Sequence, residues 1–414
     1  MVVPAEQHAP QWKEGFSLPQ AEYSDPAIFR ADVRLLTEGL WLLVDHESAI
    51  PAPGDYFRTR IGEEEIILVR GKDMVVRGFF NVCRHRGSRI CLTDKGSAKA
   101  LVCPYHGWTY DLDGKLRGAA LMPADFDKTE NGLASFSVRL EDGLIFVNLS
   151  RGAVPDFEDF IAPFRPFLAI HGLSDTKVAL RKAYPTIANW KLLVENFFEC
   201  YHCRTAHPSY CKVHDPRKLL AFGAGPGSGD GGLIDSYMPI FNKWQDDERQ
   251  AGTLIDMFSD DEKSMHFRSA GRMPIGEGAL TESIDGQPVA PLIGAAREQD
   301  RYDGNQSGMV FNPVSTLLVS SDHAVIFKFV PTGPLTSLCE AIWLVNKDAQ
   351  EGVDYDPGKL SALWEVTLSE DKVITENNQK GILSSAYMPG RYSTQEQRIA
   401  DFGRWYMRRR AEFL

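Results

Sequence analysis

Apolar positions recur along this chain with two different periods. Over residues 26–40 they return every three to four positions, with Asp25 placed to cap a helix and Pro26 at its first position. From Trp41 the period shortens. Runs at 42–44, 56–61, 65–70 and 74–80, separated by Pro, Gly and Asp, predict an all-β module. Asp113-Gly114 and Asp142-Gly143 mark two hairpins, the second inside 138–147. Residues 151–168, with Pro155, Pro163 and Pro166, read as a linker holding a short helix, so a second domain starts near 170. It opens with a strand over 177–184 and a helix capped by Asn189 that runs through Trp190, Leu193, Val194 and Phe197. After His214 the periodicity fades, and 215–305 is expected to be a variable insertion. Its glycine run, 222–232, reads as a loop, because no strand precedes it and no lysine follows at phosphate-cradle spacing. Strands over 309–319, 324–330 and 340–345 and a helix over 357–380 complete an α+β chain. Its expected divisions are a helical segment 1–40, a β domain 41–150 and a second domain 170–414.

The length of 414 residues suits two domains. A net charge of -11 with no basic tract excludes non-specific nucleic-acid binding. Residues 1–15 lack the charged-then-apolar order of a signal peptide, and no apolar run reaches membrane-spanning length, so the expectation is a soluble cytoplasmic protein. Seven cysteines, an odd number clustered near histidines, point to metal ligation or reduced thiols rather than a disulfide framework.

Two loops in the β module carry Cys83-x-His85 and Cys103-x-x-His106. A zinc finger pairs Cys with Cys and His with His. Here each loop pairs one of each, so each can give a thiolate to one iron and an imidazole to the other, the Rieske arrangement of a [2Fe-2S] cluster. Gly87 and Gly107 would let the backbone approach the sulfides.

A second constellation lies in Glu199-Cys-Tyr-His-Cys-Arg-Thr-Ala-His-Pro208. Glu199 and His202, three apart, are expected to share the inner face of the Asn189 helix. Pro208 ends that helix at His207, so the two imidazoles can converge. Two neutral imidazoles and one carboxylate, with positions left open, hold non-haem Fe(II) for oxygen chemistry. Asp371 lies on the apolar stripe of the 357–380 helix with Leu360, Trp364, Thr367 and Ile374, where a carboxylate must be paired or bind a cation. It is the expected third ligand, ahead of Glu370.

Together these motifs, with Asn189-Trp-Lys and the late Glu370-Asp371, resemble the oxygenase component of the Rieske non-haem iron oxygenases, the ring-hydroxylating alpha-subunit superfamily. The resemblance implies a Rieske domain and a helix-grip (START-like) antiparallel catalytic domain, with O2 as co-substrate. It also implies a head-to-tail homotrimer in which Glu199 bridges the cluster of one subunit, through His106 or His85, to His202 or His207 of the next. The Glu199–Cys203 form, with Glu376 through Gly381 and Tyr387 through Tyr392, is similar to the quaternary-ammonium branch, the glycine betaine and stachydrine demethylases. That implies oxidative N-demethylation releasing formaldehyde. No flavin or nicotinamide motif occurs, so electrons would come from an NAD(P)H-dependent reductase. A terminal oxygenase for an aromatic ring is the runner-up; an electron carrier or zinc-stabilised binding module is the non-enzymatic alternative. Tyr201, Tyr210, Phe311, Phe329 and Trp343 are candidate faces for an ammonium group.

Overall fold

A computed structural model describes residues 12–413 apart from 216, 219–230 and 254, so most of the glycine run at 222–232 lies outside the described residues. Asp25 accepts hydrogen bonds from the Ala27 and Ile28 amides and starts α1 (Pro26–Gly39), with Pro26 in the first turn. The β module follows as β1 (Leu42–His46), β2 (Asp55–Ile61), β3 (Glu64–Arg70), β4 (Val76–Phe80) and β5 (Lys95–Ser97). Three short strands come next, β6 (Leu101–Val102), β7 (Thr109–Tyr110) and β8 (Leu116–Gly118), and then β9 (Ser135–Glu141) and β10 (Leu144–Asn148). Seven of these form one sheet in the order β1-β10-β9-β4-β3-β2-β5, while β6-β7-β8 form a small second one. The β9–β10 hairpin turns through Asp142 and Gly143 at φ of 45° and 78°, as the tight turn requires. A Cβ at Gly143 would also meet His46 Nε2 at 2.3 Å, so only glycine fits.

The stretch read as a linker holding a short helix, 151–168, does hold one, but from Phe157 on it contributes to the core. It contains α2 (Phe157–Ile161) and begins α3 (Arg165–His171), with Pro163 and Pro166 within first helical turns, where a missing N–H is harmless. Phe157, Phe160, Phe164 and Phe167 share one core cluster with Phe146 of the first sheet and Phe311 of the second, whose ring centroids lie 5.1 Å apart.

The second sheet is antiparallel, in the order β11-β17-β16-β15-β14-β13-β12. Its first strand is β11 (Thr176–Thr186), followed by α4 (Trp190–Phe197). Here the segment 215–305 departs from a plain insertion. It supplies α5 (Gly231–Gln250), then β12 (Met257–Ser259) and β13 (Ser269–Pro274), which extend the sheet. Four further strands complete it: β14 (Asn305–Asn312), β15 (Ser315–Val319), β16 (His323–Gly333) and β17 (Thr336–Asn346). Side chains on β16 alternate: Val325, Phe327 and Phe329 face one core, and Ala324 and Ile326 the other. Against the first face lie α4 and the long α6 (Pro357–Ile382), with α7 (Gln397–Arg410) behind.

Polar contacts fix α4. The Asn189 amide donates to Gln379 Oε1 at 2.8 Å and the Ile187 amide to Glu376 Oε1 at 3.0 Å, so the Glu376–Gln379 motif of α6 grips the entrance to α4. Lys191 is wholly buried and pairs with the equally buried Asp32 of α1. Asp32 also accepts from Trp190 Nε1 at 3.1 Å and from the Tyr406 hydroxyl of α7 at 2.7 Å. Removing one member leaves the other charge stranded in the core. Asp32→Ala should therefore cost about 3–5 kcal/mol in urea unfolding, and Asp32→Ala/Lys191→Met should recover much of it. A single variant of wild-type stability contradicts this role.

Candidate functional site

Helix α4 ends at Phe197, two residues short of Glu199, so Glu199 and His202 do not share its face as expected. The chain turns there instead. The Glu199 carboxylate accepts the Tyr201 amide and, at 3.2 Å, the His202 amide, closing the turn itself. A one-turn helix, Cys203–Ala206, follows, and His207 leaves helical angles at φ -123°, ψ 70° ahead of Pro208.

The result is convergence. His202 Nε2 and His207 Nε2 lie 3.0 Å apart, and Asp371 Oδ1, from α6, is 2.9 Å from the second and 3.5 Å from the first. The outer nitrogens are occupied: His202 Nδ1 donates to Glu199 Oε1 at 2.5 Å and His207 Nδ1 to Glu370 Oε2 at 2.8 Å. Asn196 Nδ2 donates to Asp371 Oδ1 at 2.6 Å. Protons held on both outer nitrogens leave two imidazole lone pairs and a carboxylate oxygen facing one point, an arrangement that only a cation stabilises. Proton affinities show the same field. Burial works against the charged imidazole, yet the Asp371 and Glu199 carboxylates lift His202 to about 10, and Asp371 likewise raises His207. Asp371 is held below its ordinary range despite burial, through His202, His207 and Asn196. A three-donor set with open sides, each imidazole backed by a carboxylate, fits a mononuclear Fe(II).

Sequence reasoning had ranked Glu370 only as a rival ligand and had missed Asn196. Adjacent on a helix, Glu370 and Asp371 reach different atoms of the same ring. The apolar stripe picks out Asp371 as the inward acid, but it gives no sign that Glu370 backs the same ring from outside.

In the β module the two Cys-His loops repeat one geometry. The Gly87 amide donates to the Cys83 carbonyl and the Gly107 amide to the Cys103 carbonyl, each at 3.0 Å. Both glycines have positive φ, 75° and 71°, with open space where a Cβ would stand. The thiols are buried, while His106 is exposed and its ring centroid lies 4.6 Å from that of His85. His85 Nδ1 is buried without a hydrogen-bond partner. An orphaned imidazole nitrogen, two inward thiols and open space over two glycines fit a [2Fe-2S] cluster. Two contributors went unread in the sequence: Trp108 stacks on His85 at 4.8 Å, and the Tyr110 hydroxyl lies 3.2 Å from Cys83 Sγ while accepting the Arg84 amide.

A cavity of about 180 Å³ opens beside His202, His207 and Asp371, walled by Phe197, Tyr210 and Trp364. Of the five rings proposed from sequence, only Tyr210 lines it. Phe311 and Trp343 are fully buried in the sheet cores, Phe329 lies behind Phe197, and Tyr201 is exposed.

A gripped antiparallel sheet with this donor cluster, joined to a Cys-His β module, defines the class: an iron-dependent oxygenase component fed by a Rieske cluster. Residues 173–412 match the ring hydroxylating alpha subunit (catalytic domain) and residues 40–136 the Rieske [2Fe-2S] domain. The chain belongs to this family, whose members carry a [2Fe-2S] cluster and a mononuclear non-haem iron and use O2. It is 38% identical over 400 residues to the glycine betaine monooxygenase oxygenase subunit of Chromohalobacter salexigens, covering 94% of this chain and 85% of that one. It is 37% identical over 205 residues to the carnitine monooxygenase oxygenase subunit of Escherichia coli K12, covering 48% of this chain and 54% of that one. Its fold matches a quaternary ammonium Rieske monooxygenase crystallised with L-carnitine, with a TM-score of 0.69, 24% identity and 96% coverage of both chains. Among the described residues, no helix is long and apolar enough to cross a membrane.

One turn before Glu199, buried Glu195 accepts from the Tyr23 hydroxyl, 3.0 Å from both its oxygens. Burial lifts its carboxyl from 4.5 to about 8, against the Tyr23 hydrogen bond and the Lys191 charge. The native state thus keeps a proton that the unfolded chain releases, and this group's stabilisation, full below pH 4.5, is lost as pH rises to about 8. Urea midpoints at pH 5 and pH 8 should differ more for wild type than for Glu195→Gln; parallel behaviour contradicts the assignment.

Proposed function

We propose that this chain is the oxygenase component of a quaternary-ammonium monooxygenase that removes an N-methyl group from a small betaine, stachydrine or glycine betaine, as formaldehyde. The observation that carries the reading is the cavity beside His202, His207 and Asp371. Among the described residues, its wall holds three aromatic rings and no lysine or arginine. A quaternary ammonium cannot donate a hydrogen bond, so aromatic faces and nearby carboxylate charge are what recognise it. The absence of a cationic side chain in that lining disfavours a net-anionic aromatic acid. At about 180 Å³ the space is also below the roughly 300 Å³ at which drug-sized pockets begin, which disfavours a fused aromatic ring.

When bound, the cluster supplies electrons singly and the mononuclear Fe(II) supplies reductive activation of O2. His202, His207 and Asp371 would hold that iron, and Cys83, His85, Cys103 and His106 the cluster. Glu199 and Glu370 fix the ring orientations of His202 and His207. Phe197, Tyr210 and Trp364 seat the ammonium with a methyl group toward the iron position and exclude water. Overall, the N-methyl C–H becomes C–OH at the cost of O2, two electrons and two protons, with one water formed. The C–N bond then breaks with its electron pair left on nitrogen, and loss of the hydroxyl proton gives formaldehyde and the tertiary amine. The electrons come from a separate NAD(P)H-dependent reductase.

Glu199 has a second face. Besides the smaller cavity, a crevice of about 420 Å³ lined by Glu195, Tyr387 and Glu396 also reaches it and His202. In a head-to-tail homotrimer, the exposed His106 of a neighbouring copy would enter there and meet the carboxylate that holds His202.

Reconstituted with a reductase, the enzyme should release formaldehyde from glycine betaine or stachydrine and none of the hydroxylated ring product from aromatic acids; the reverse pattern establishes the ring oxygenase. Glu199→Gln should keep full iron and acid-labile sulfide while turnover falls at least about a hundredfold. Normal turnover in that variant removes the bridging role.

A further inference from the structure

We infer that Gln306 is the specificity-determining residue that receives the substrate's carboxylate, an inference that rests on the betaine reading above. Gln306 lies on β14, is only 7% exposed and forms part of the wall of the small cavity that also contains His202, His207 and Asp371. Polar atoms of its neighbours on the strand are bound within the protein. Asn305 Oδ1 accepts from Trp244 Nε1 at 2.7 Å, and Ser307 Oγ lies 2.8 Å from His171 Nε2 and 3.2 Å from Arg272 Nη1. Gln306 Nε2 is buried with no hydrogen-bond partner; Asn305 Nδ2 is in the same state, but of the two residues only Gln306 lines the cavity. A buried amide N–H without a partner is expensive, so the group gains from any arrangement that gives it an acceptor. The amide can turn by 180° in the same space, so its NH2 group can face the cavity without repacking.

A neutral donor suits this ligand better than a cationic one. An arginine or lysine here would bind the carboxylate but repel the ammonium group a few bonds away. With Gln306 the substrate's two charges compensate each other, the aromatic wall takes the methyl groups, and the amide marks where the carboxylate must lie. A trimethylammonium alcohol such as choline offers no carboxylate and gains nothing from the contact. Gln306 therefore separates zwitterions from simple cations of the same head group.

The test uses the holoenzyme with its reductase, reading formaldehyde from glycine betaine, stachydrine and choline. Gln306→Leu should raise KM for the betaine with little change in kcat, and lower the betaine-to-choline ratio of kcat/KM about tenfold, the weight of one hydrogen bond to a charged group. Gln306→Glu, which keeps the shape, should lower that ratio further by repelling the carboxylate. Equal losses for betaine and choline in both variants, or an unchanged ratio, overturn the inference and leave the betaine reading standing. Wild-type enzyme that neither demethylates these compounds nor binds them in calorimetric titration overturns both.

Discussion

Two imidazole nitrogens and one carboxylate oxygen meet within 3.5 Å with their lone pairs toward a common point, and the rest of the chain keeps them there. Left alone such a cluster would open or take up a proton. It is held because both imidazoles are tethered from behind, one by Glu199 and the other by Glu370, and because Asp371 is pinned by Asn196. Every tether comes from a different part of the backbone: the end of α4, the turn after it, and the middle of α6.

That dependence explains the distribution of buried charge. Helix α4 carries Asn196 and aims the turn that begins at Glu199, so its position has to be fixed more tightly than apolar packing alone would do. Lys191 and Asp32 lock it to α1, Tyr406 ties in α7, and Gln379 and Glu376 fasten its first turn to α6. The same α6 presents Trp364, Glu370 and Asp371 to the site, so one helix both clamps α4 and furnishes the wall, the tether and an inward-facing carboxylate. In the β module the opposite principle holds. Two short loops of repeated geometry, each turned by a left-handed glycine, present one thiol and one imidazole apiece.

Local chemistry was legible in the sequence, and long-range chemistry was not. The Asp25-Pro26 helix start and the Asp142-Gly143 turn follow from single-residue conformational preferences, and the paired Cys-His loops follow from spacing. Asp371 could be singled out because a carboxylate on an apolar stripe demands a partner. The phenylalanines at 157–167 were hidden by prolines, which signal a linker in sequence yet sit harmlessly in first helical turns. Strands β12, at the sheet edge, and β13 beside it are short and half polar, so their periodicity is weak. The aromatic wall was misjudged for a related reason: Trp343 and Phe311 look like any ring facing a ligand until the sheet register puts them in the core, while Trp364 on α6 reads as plain packing.

Anomalous diffraction at the iron edge from crystals of the holoenzyme tests the mononuclear centre most directly. One peak should lie in contact with His202 Nε2, His207 Nε2 and Asp371 Oδ1, with Glu199 and Glu370 still on the outer nitrogens, apart from the pair of irons between the Cys83 and Cys103 loops. A peak bound by Glu370 in place of Asp371, or no iron at the histidine pair, contradicts it.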